Sequence, residues 1–416
     1  MHMKRPQVLS SFVQQAGWLL LGMACQLKLT LVGQIYVGEM LAIGLFLFSL
    51  WSTRFVRWEI RILGLAIALA FVQVMSDLIN ATQASSMAKG VGAPLLLVIT
   101  IISLSRRFRA NDGSIGFFLV GSAAMLLLKA GFFPNEYQQG NAWKWGGGQA
   151  SLMLGLAIAS FFGWRLSKPI LLTAAVFFYW WSMVNNARSM AVLSILGLVL
   201  YFLSRTAAWM RLSGILAKGV PIANLILPLI LAIITVNAVA YLAFAQGWMH
   251  DFLPADVHAK FSTQALSDAG LVLAGRSESL ISMRAFLDAP LFGHGSWAVD
   301  KAGYVQEYLW LRYETGASEK ISYTDLELIP AHSYLMGALV WSGVMGGMFW
   351  LVLANGILRR YLQASSALPL YFHVGLVFFL WDLLFSPFGA DNRWQTAIYI
   401  SILFSCARPR IISIKS

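Results

Sequence analysis

Arg188, Arg276 and His332 have the residue type and the setting for chemistry on an anionic substrate. Arg188 ends the turn Asn185-Asn186-Ala187-Arg188 between two apolar runs. Its planar fork of donors suits a phosphate, although an arginine at an interface can equally snorkel to headgroups. Arg276 follows Gly275 and opens a stretch, Arg276 to Ala289, that reads as a short helix with Leu280, Met283 and Leu287 on one apolar face. Pro290 and the turn-rich Phe292-Gly293-His294-Gly295-Ser296 bound it, and such a helix lies on or dips into a membrane interface. Arg284 is two turns on from Arg276 and roughly on the same side, where its bland reading is a solvated charge. The same bland reading applies to Arg276 as a first-turn residue. His332 follows Pro330-Ala331 and heads another apolar run. Histidine titrates near neutrality and can take up a proton there, or it can serve as a cap or a satisfied interface residue.

Secondary candidates surround these three. Arg393, in Asp391-Asn392-Arg393-Trp394, is a further possible phosphate contact, and Tyr334 stands two residues beyond His332. Asp325 and Glu327 form an Asp-x-Glu pair that can bind a divalent cation, yet such pairs are common on solvated loops. Glu39 and Asp382 fall within or near apolar runs, where an ionisable group is costly and either functional or paired with a neighbour. Trp143 and Trp145 can stack on sugar rings or anchor at an interface. Cys25 and Cys406 sit in apolar runs near opposite membrane faces, which argues against a disulfide and for small core residues. There is no Gly-x-x-x-x-Gly-Lys-Ser/Thr loop, His-Glu-x-x-His or Gly-x-Ser-x-Gly, so nucleotide hydrolysis, zinc proteolysis and α/β-hydrolase chemistry lose their usual support.

The elements that must position these residues follow from composition. With 58% hydrophobic and 12% charged residues over 416 positions, the chain is too apolar for a soluble domain of its length. Continuous apolar runs long enough to cross roughly 30 Å of hydrocarbon as helices predict an all-α polytopic membrane protein. They fall near 8–28, 31–52, 61–80, 88–105, 114–133, 149–164, 168–185, 189–204, 220–245, 332–358, 369–388 and 395–407, about twelve spans in a single membrane domain covering 1–416. Lys4/Arg5, Arg54/Arg57/Arg61, Arg106/Arg107/Arg109, Arg165/Lys168, Arg205/Arg211/Lys218, Arg359/Arg360 and Arg408/Arg410/Lys415 fall at alternate turns. The positive-inside rule makes those turns and both termini cytoplasmic. Residues 246–331, between spans nine and ten, then form an external loop subdomain carrying short helices, periplasmic in a Gram-negative cell. The net charge of +12 reads as topology and anionic-lipid contact rather than nucleic-acid binding. The first span lacks a small-residue cleavage site and so reads as a span, not a signal peptide. Twelve spans also suit a major-facilitator transporter, but there the long loop is internal and follows span six.

In this topology Arg188, Gly275-Arg276 with its short helix, Ala289-Pro290-Leu291-Phe292-Gly293-His294-Gly295, and His332 with Gly343 and Gly346 beyond it resemble the O-antigen ligase and Wzy polymerase superfamily. The likeness runs from about Asn185 to Arg360 and includes the span count. One departure is that His332 is followed directly by Ser333-Tyr334-Leu335, where the family commonly has His-Asn-Ser/Thr-aromatic-Leu. The resemblance implies a glycosyltransferase-C-like helical fold in the bacterial inner membrane. It also implies transfer of a glycan from undecaprenyl diphosphate to an acceptor hydroxyl at the outer face. Arg188 and Arg276 would bind the diphosphate and His332 would act as general base, with inversion, no metal and no cofactor. The acceptor would be lipid A-core in a ligase, or a second lipid-linked glycan in a Wzy-type polymerase. A lipid-linked oligosaccharide transporter is the more distant alternative. It would line a midplane cavity with charge, whereas the charges singled out here sit at the outer edge.

Overall fold

The computed structural model describes residues 6–52, 54–110, 114–162, 168–185, 187–219, 234, 238–239, 241–248, 250, 255–266, 278–314 and 327–406. Helices α1 (Pro6–Cys25), α2 (Val37–Ser52), α3 (Arg57–Ile79), α4 (Ala84–Ala110) and α5 (Ser114–Phe132) come first. Between α1 and α2 stands a hairpin of β1 (Lys28–Thr30) and β2 (Gln34–Tyr36), antiparallel in the register Lys28 to Tyr36 and Thr30 to Gln34. A short α6 (Glu136–Gly140) and a π-helical turn (Trp143–Gly147) lead into α7 (Gly148–Phe162), α8 (Lys168–Val184), α9 (Arg188–Leu203) and α10 (Ala207–Gly219). After them come α11 (Ala255–Leu266), α12 (Glu278–Asp288), α13 (Tyr304–Glu314), α14 (Tyr334–Ala364), α15 (Leu370–Phe385) and α16 (Ala390–Cys406).

Among the described residues four helices are long and apolar enough to cross a membrane: Arg57–Ile79, Ala84–Arg109, Ser114–Phe132 and Tyr334–Ala364. A fifth is added if α9 and α10, bent by 92° at Leu203–Ala207, count as one span. Shorter apolar helices lie at Phe12–Cys25, Val37–Trp51, Pro169–Val184 and Leu370–Phe385. Large apolar side chains such as Phe71 and Leu196 are exposed on helices whose other faces are buried, as lipid contact requires. Among the described residues the chain therefore has the make-up of an all-α membrane protein, apart from this hairpin and one isolated β-bridge between Val299 and Leu328. The expected span 220–245 lies largely outside the described residues. Two local expectations fail. The boundary between the first two runs is a nine-residue hairpin rather than a tight turn, because Lys28, Thr30 and Gln34 interrupt the apolar sequence and can pair across it. Residues 207–219, read as part of a polar turn, continue as a helix with apolar and basic residues mixed along it.

The core lies between α3, α4, α5, α14, α15 and α16, where Phe108, Phe118, Trp350, Tyr361, Phe379 and Trp394 are fully or almost fully buried. Helix ends segregate into two groups. At one end Arg106 pairs with Glu59, Arg109 donates to the Phe404 carbonyl, Arg205 donates to the Leu368 carbonyl, and Arg360 lies over the rings of Trp58 and Phe404. The hairpin, the start of α14 and the residues between α15 and α16 lie at the other.

Candidate functional site

The candidate site is built on a break in α14. Ser333 caps this helix by accepting from Met336 N at 3.1 Å, and its own hydroxyl donates to the Leu383 carbonyl at 2.8 Å. Nine residues later Ser342 (φ −130, ψ 17) and Gly343 (φ 62, ψ −150) leave helical geometry, which frees backbone groups that need partners inside a membrane. The loop 290–296 supplies them. His294 N donates to Val340 O at 2.7 Å, Gly295 N to Trp341 O at 3.1 Å, and Val344 N to Pro290 O at 2.8 Å. Only glycine fits the joint, since a Cβ on Gly343 would fall on the Leu291 carbonyl and one on Gly293 would come within 2.5 Å of Val340 O. Both residues have positive φ.

Helix α3 clamps this joint with a polar stripe at Gln73, Ser76, Asp77 and Asn80, spaced i, i+3, i+4, i+7 and therefore on one face. Asp77, buried in an apolar bundle, accepts from Ser296 N at 2.5 Å and Ser296 Oγ at 2.9 Å. Gln73 Nε2 donates to Ser296 Oγ at 2.9 Å, Ser76 Oγ to Trp341 O at 2.7 Å, and Asn80 Nδ2 to Gly293 O at 3.2 Å. None of these four residues stood out in the sequence. Their regular spacing inside an apolar run was the available signal, and averaging hydropathy along the run conceals it.

His332 immediately precedes the Ser333 cap and is exposed, and among the described residues no hydrogen bond engages its ring. It lines a cavity of about 210 Å³ with Gln73, Trp297, Tyr334, Trp341 and Phe388. Trp297 and Trp341 stack at 4.6 Å on its wall. Tyr334, a secondary candidate, is fully buried with its hydroxyl 3.0 Å from Thr396 Oγ1 and its ring against Trp350 and Phe388. It forms the floor of the cavity and does not present its hydroxyl to a ligand. A second cavity of about 500 Å³ shares Ala93, Trp297, Phe388 and Gly389 with the first and extends to the hairpin and Lys89.

Arg393 is committed elsewhere than expected. It is buried, with Nε donating to Glu39 Oε1 at 2.5 Å and Nη2 to Glu39 Oε2 at 2.8 Å and to Gln34 O at 3.1 Å. Glu39 also accepts from Tyr36 N at 2.9 Å, so the pair anchors the hairpin and is already neutral. This corrects the reading of Arg393 as a phosphate contact and explains why a carboxylate is tolerated at Glu39.

The segment before α14 packs through α12. Ile281, Ser282 and Ala285 are its buried face, and Ser282 Oγ donates to Pro330 O at 2.6 Å, two residues before His332. Leu280, Met283 and Leu287, the expected apolar face, point outward and are exposed. Arg284 pairs with Glu307 of α13 at 2.6 Å and is itself largely exposed. At the start of α13, Asp300 accepts from the amides of Ala302, Gly303 and Val305. Burial pushes its carboxyl up, but these amides outweigh that and hold it below its ordinary value. Tyr304 donates to Asp288 Oδ2 at 2.5 Å, and burial together with that carboxylate pushes its hydroxyl up to about 12.

Arg188 is the first residue of α9, and its side chain lies outside the described residues. Its backbone follows a turn closed by Ala187 N on Ser182 O at 2.8 Å, with Asn141 Nδ2 on Asn185 O at 2.8 Å. Gly197 of α9 packs on Val374 of α15, and Arg205 reaches Leu368, so the two helices run antiparallel. The start of α9 thus lies at the end where α15 finishes and Ser333 meets Leu383. Trp143 donates to Ser182 Oγ at 3.1 Å beside the same turn, while Trp145 is half exposed. Arg276 and Asp325 lie outside the described residues, and Glu327 is exposed with its carbonyl accepting from Asp300 N. Cys25 is buried, and the side chain of Cys406 lies outside the described residues. No group of three or more His, Cys, Asp or Glu side chains suited to a metal occurs among the described residues. No protein-family model, no curated protein and no solved structure matches this chain.

Proposed function

We propose that this protein is an inverting glycosyltransferase of the outer membrane-water interface, moving a glycan from undecaprenyl diphosphate to an acceptor hydroxyl, with lipid A-core as the acceptor. The observation that carries the reading is convergence. Gly293-His294-Gly295, Gly343 and His332 lie up to 50 residues apart in the chain, yet the glycine loop docks on the helix break while His332 leads that same helix into a cavity. Among the described residues no hydrogen bond engages that imidazole, which on this reading leaves it open to an acceptor hydroxyl.

In the proposed reaction His332 removes the proton of the acceptor hydroxyl. That oxygen forms the new bond at the anomeric carbon from the face opposite the leaving group, and the bond from that carbon to the diphosphate oxygen breaks. The diphosphate departs with the electron pair, and the guanidinium groups of Arg188 and Arg276 stabilise its growing charge. A diphosphate is already a good leaving group, and two arginines can neutralise it without a metal. The proposed setting is the bacterial inner membrane with about twelve spans, the arginine-rich end cytoplasmic and 246–331 periplasmic. A polymerase acting on a second lipid-linked glycan would use the same donor chemistry.

The test is transfer by the purified protein from a lipid-linked donor. Activity is expected to survive EDTA and to fall by roughly two orders of magnitude in Arg276→Lys, which keeps charge but loses the bidentate fork. Loss in EDTA that manganese restores would sink metal independence, and wild-type turnover in Arg276→Lys would remove the diphosphate role. A deletion strain separates the two acceptors, because a ligase mutant accumulates long lipid-linked polymer and a polymerase mutant does not.

A further inference from the structure

Four cations gather around the hairpin end, Lys28, Lys89, Lys129 and Arg393, against two carboxylates, Glu39 and Asp391. Three of the four are engaged: Arg393 with Glu39, Lys28 with Asp391 at 2.6 Å, and Lys129 with the Gln26 carbonyl. Lys89 is different. Among the described residues its ammonium meets only the ring of Trp297, 5.2 Å from the centroid. Its stem lies on the hairpin at Gly33, where a Cβ would come within 2.9 Å of Lys89 Cγ. Trp297 holds φ 49, a conformation that a non-glycine residue keeps only where its surroundings impose it. Packing, not a counter-charge, therefore fixes this ammonium on the wall of the 500 Å³ cavity.

Much of the rest of that wall is apolar, Leu31, Val32 and Leu96 among it, and its other cation, Arg393, is already paired with Glu39. Leu31 and Val32 form the hairpin tip and are 68% and 63% exposed, so an acyl or prenyl chain can lie against them. Among the described residues no carboxylate meets the Lys89 ammonium, which leaves an anion to be supplied from outside the protein.

The geometry points to a binding site in this cavity for the phosphate of a membrane amphiphile, with Lys89 as its cation and the hairpin tip against its chain. The cavity adjoins the one that His332 lines, the two sharing the wall at Trp297 and Phe388. In the transfer proposed above, on which this last step rests, the occupant is a phosphorylated acceptor whose hydroxyl reaches His332 while Arg188 and Arg276 hold the donor.

The site is tested by binding alone, with the full-length protein in phosphatidylcholine nanodiscs titrated with dihexanoyl phosphatidic acid, dihexanoyl phosphatidylcholine and inorganic phosphate. Phosphatidic acid is expected to bind tightest. Lys89→Gln is expected to weaken it roughly tenfold, the equivalent of one charge-assisted hydrogen bond, with Lys89→Arg close to wild type. Arg359→Gln, at the arginine-rich end, should leave it unchanged. Equal affinity in Lys89→Gln, an equal loss in Arg359→Gln, or inorganic phosphate binding as tightly as the lipid would each overturn the site. Transfer plays no part in this readout, so an active His332→Ala protein would defeat the reaction and leave the site standing.

Discussion

The two ends of this bundle differ in the groups that they leave without a polar partner. At the arginine-rich end the cations close on the protein itself, Arg106 on Glu59, Arg205 on a carbonyl and Arg360 on two aromatic rings. At the hairpin end Lys89 and His332 face cavities and have no polar partner among the described residues. Charge that sets topology can be satisfied locally, because its task ends once the chain is inserted. Charge that binds or reacts must stay available, and availability requires a rigid support that does not itself consume the group. The loop 290–296, docked on the α14 break and clamped by Asp77, is that support.

The sharpest way to break the comparison is to remove one group from each end. His332→Ala is expected to lower turnover by about two to four orders of magnitude, the range for a general base, with donor binding and thermal stability near wild type. Arg360→Gln should do the reverse, costing some stability through lost stacking on Trp58 and Phe404 while transfer continues. An active His332→Ala enzyme would end the general-base assignment. Inactive Arg360→Gln protein that retains its fold would show that the arginine-rich end is not merely structural.

Arg393 sharpens the contrast, because it lies at the hairpin end yet is built like a residue of the other. Its partner Glu39 is fully buried, so Arg393→Ala strands a carboxylate and should cost about 3–5 kcal/mol, enough to lose the folded protein. Thermal unfolding in detergent, with Glu39→Gln/Arg393→Met as the double variant, checks this. If the double variant recovers stability but loses transfer, Arg393 has a chemical role as well as a structural one.

How much of this was legible in the sequence varied with the range of the interaction. Helix type and membrane character came from continuous apolar runs, which are local. Gly293, Gly295 and Gly343 stood out as a pattern, but nothing in one sequence says that the loop fills the break. Asp77 and Gln73 were hidden because a buried carboxylate served by neutral donors leaves no charge pattern to read. The Glu39–Arg393 pair joins positions 354 apart, and the packing of Lys89 between Gly33 and Trp297 draws on three separate segments. The hairpin shows the limit from the other side, since strands of three residues are too short to register against the long helices flanking them.

The joint itself predicts an intermediate effect. Gly343→Ala forces a Cβ onto the Leu291 carbonyl in a backbone region reserved almost wholly for glycine. The conformational part alone costs about 1–3 kcal/mol, and the clash adds to it. Because the loop then lifts from α14, transfer should fall more than the melting temperature suggests, and hydrogen exchange at His294 and Gly295 should rise before that of α3. Uniform loosening across α3, α14 and the loop would mean that Gly343 stabilises the whole bundle and does not specifically seat the loop.

The smallest expected effect lies beside the site, where α13 begins. Asp300 is held below its ordinary carboxyl range, so its contribution is complete above about pH 4 and is lost as pH falls through the depressed value. Tyr304 is displaced the other way, to about 12, so its bond to Asp288 contributes below about pH 10 and is lost as pH rises toward that value. Between these limits neither Asp300 nor Tyr304 makes the docking of α13 depend on pH, so a pH dependence of transfer near neutrality would arise from other groups. Asp300→Asn keeps one acceptor oxygen but not the charge, so amides at the start of α13 should exchange a few-fold faster than wild type at pH 7. After correction for intrinsic rates, the difference should narrow as pH drops below the ordinary carboxyl value, because the wild-type side chain then also becomes neutral. A gap that stays constant through that range would show that shape, not charge, makes Asp300 the cap.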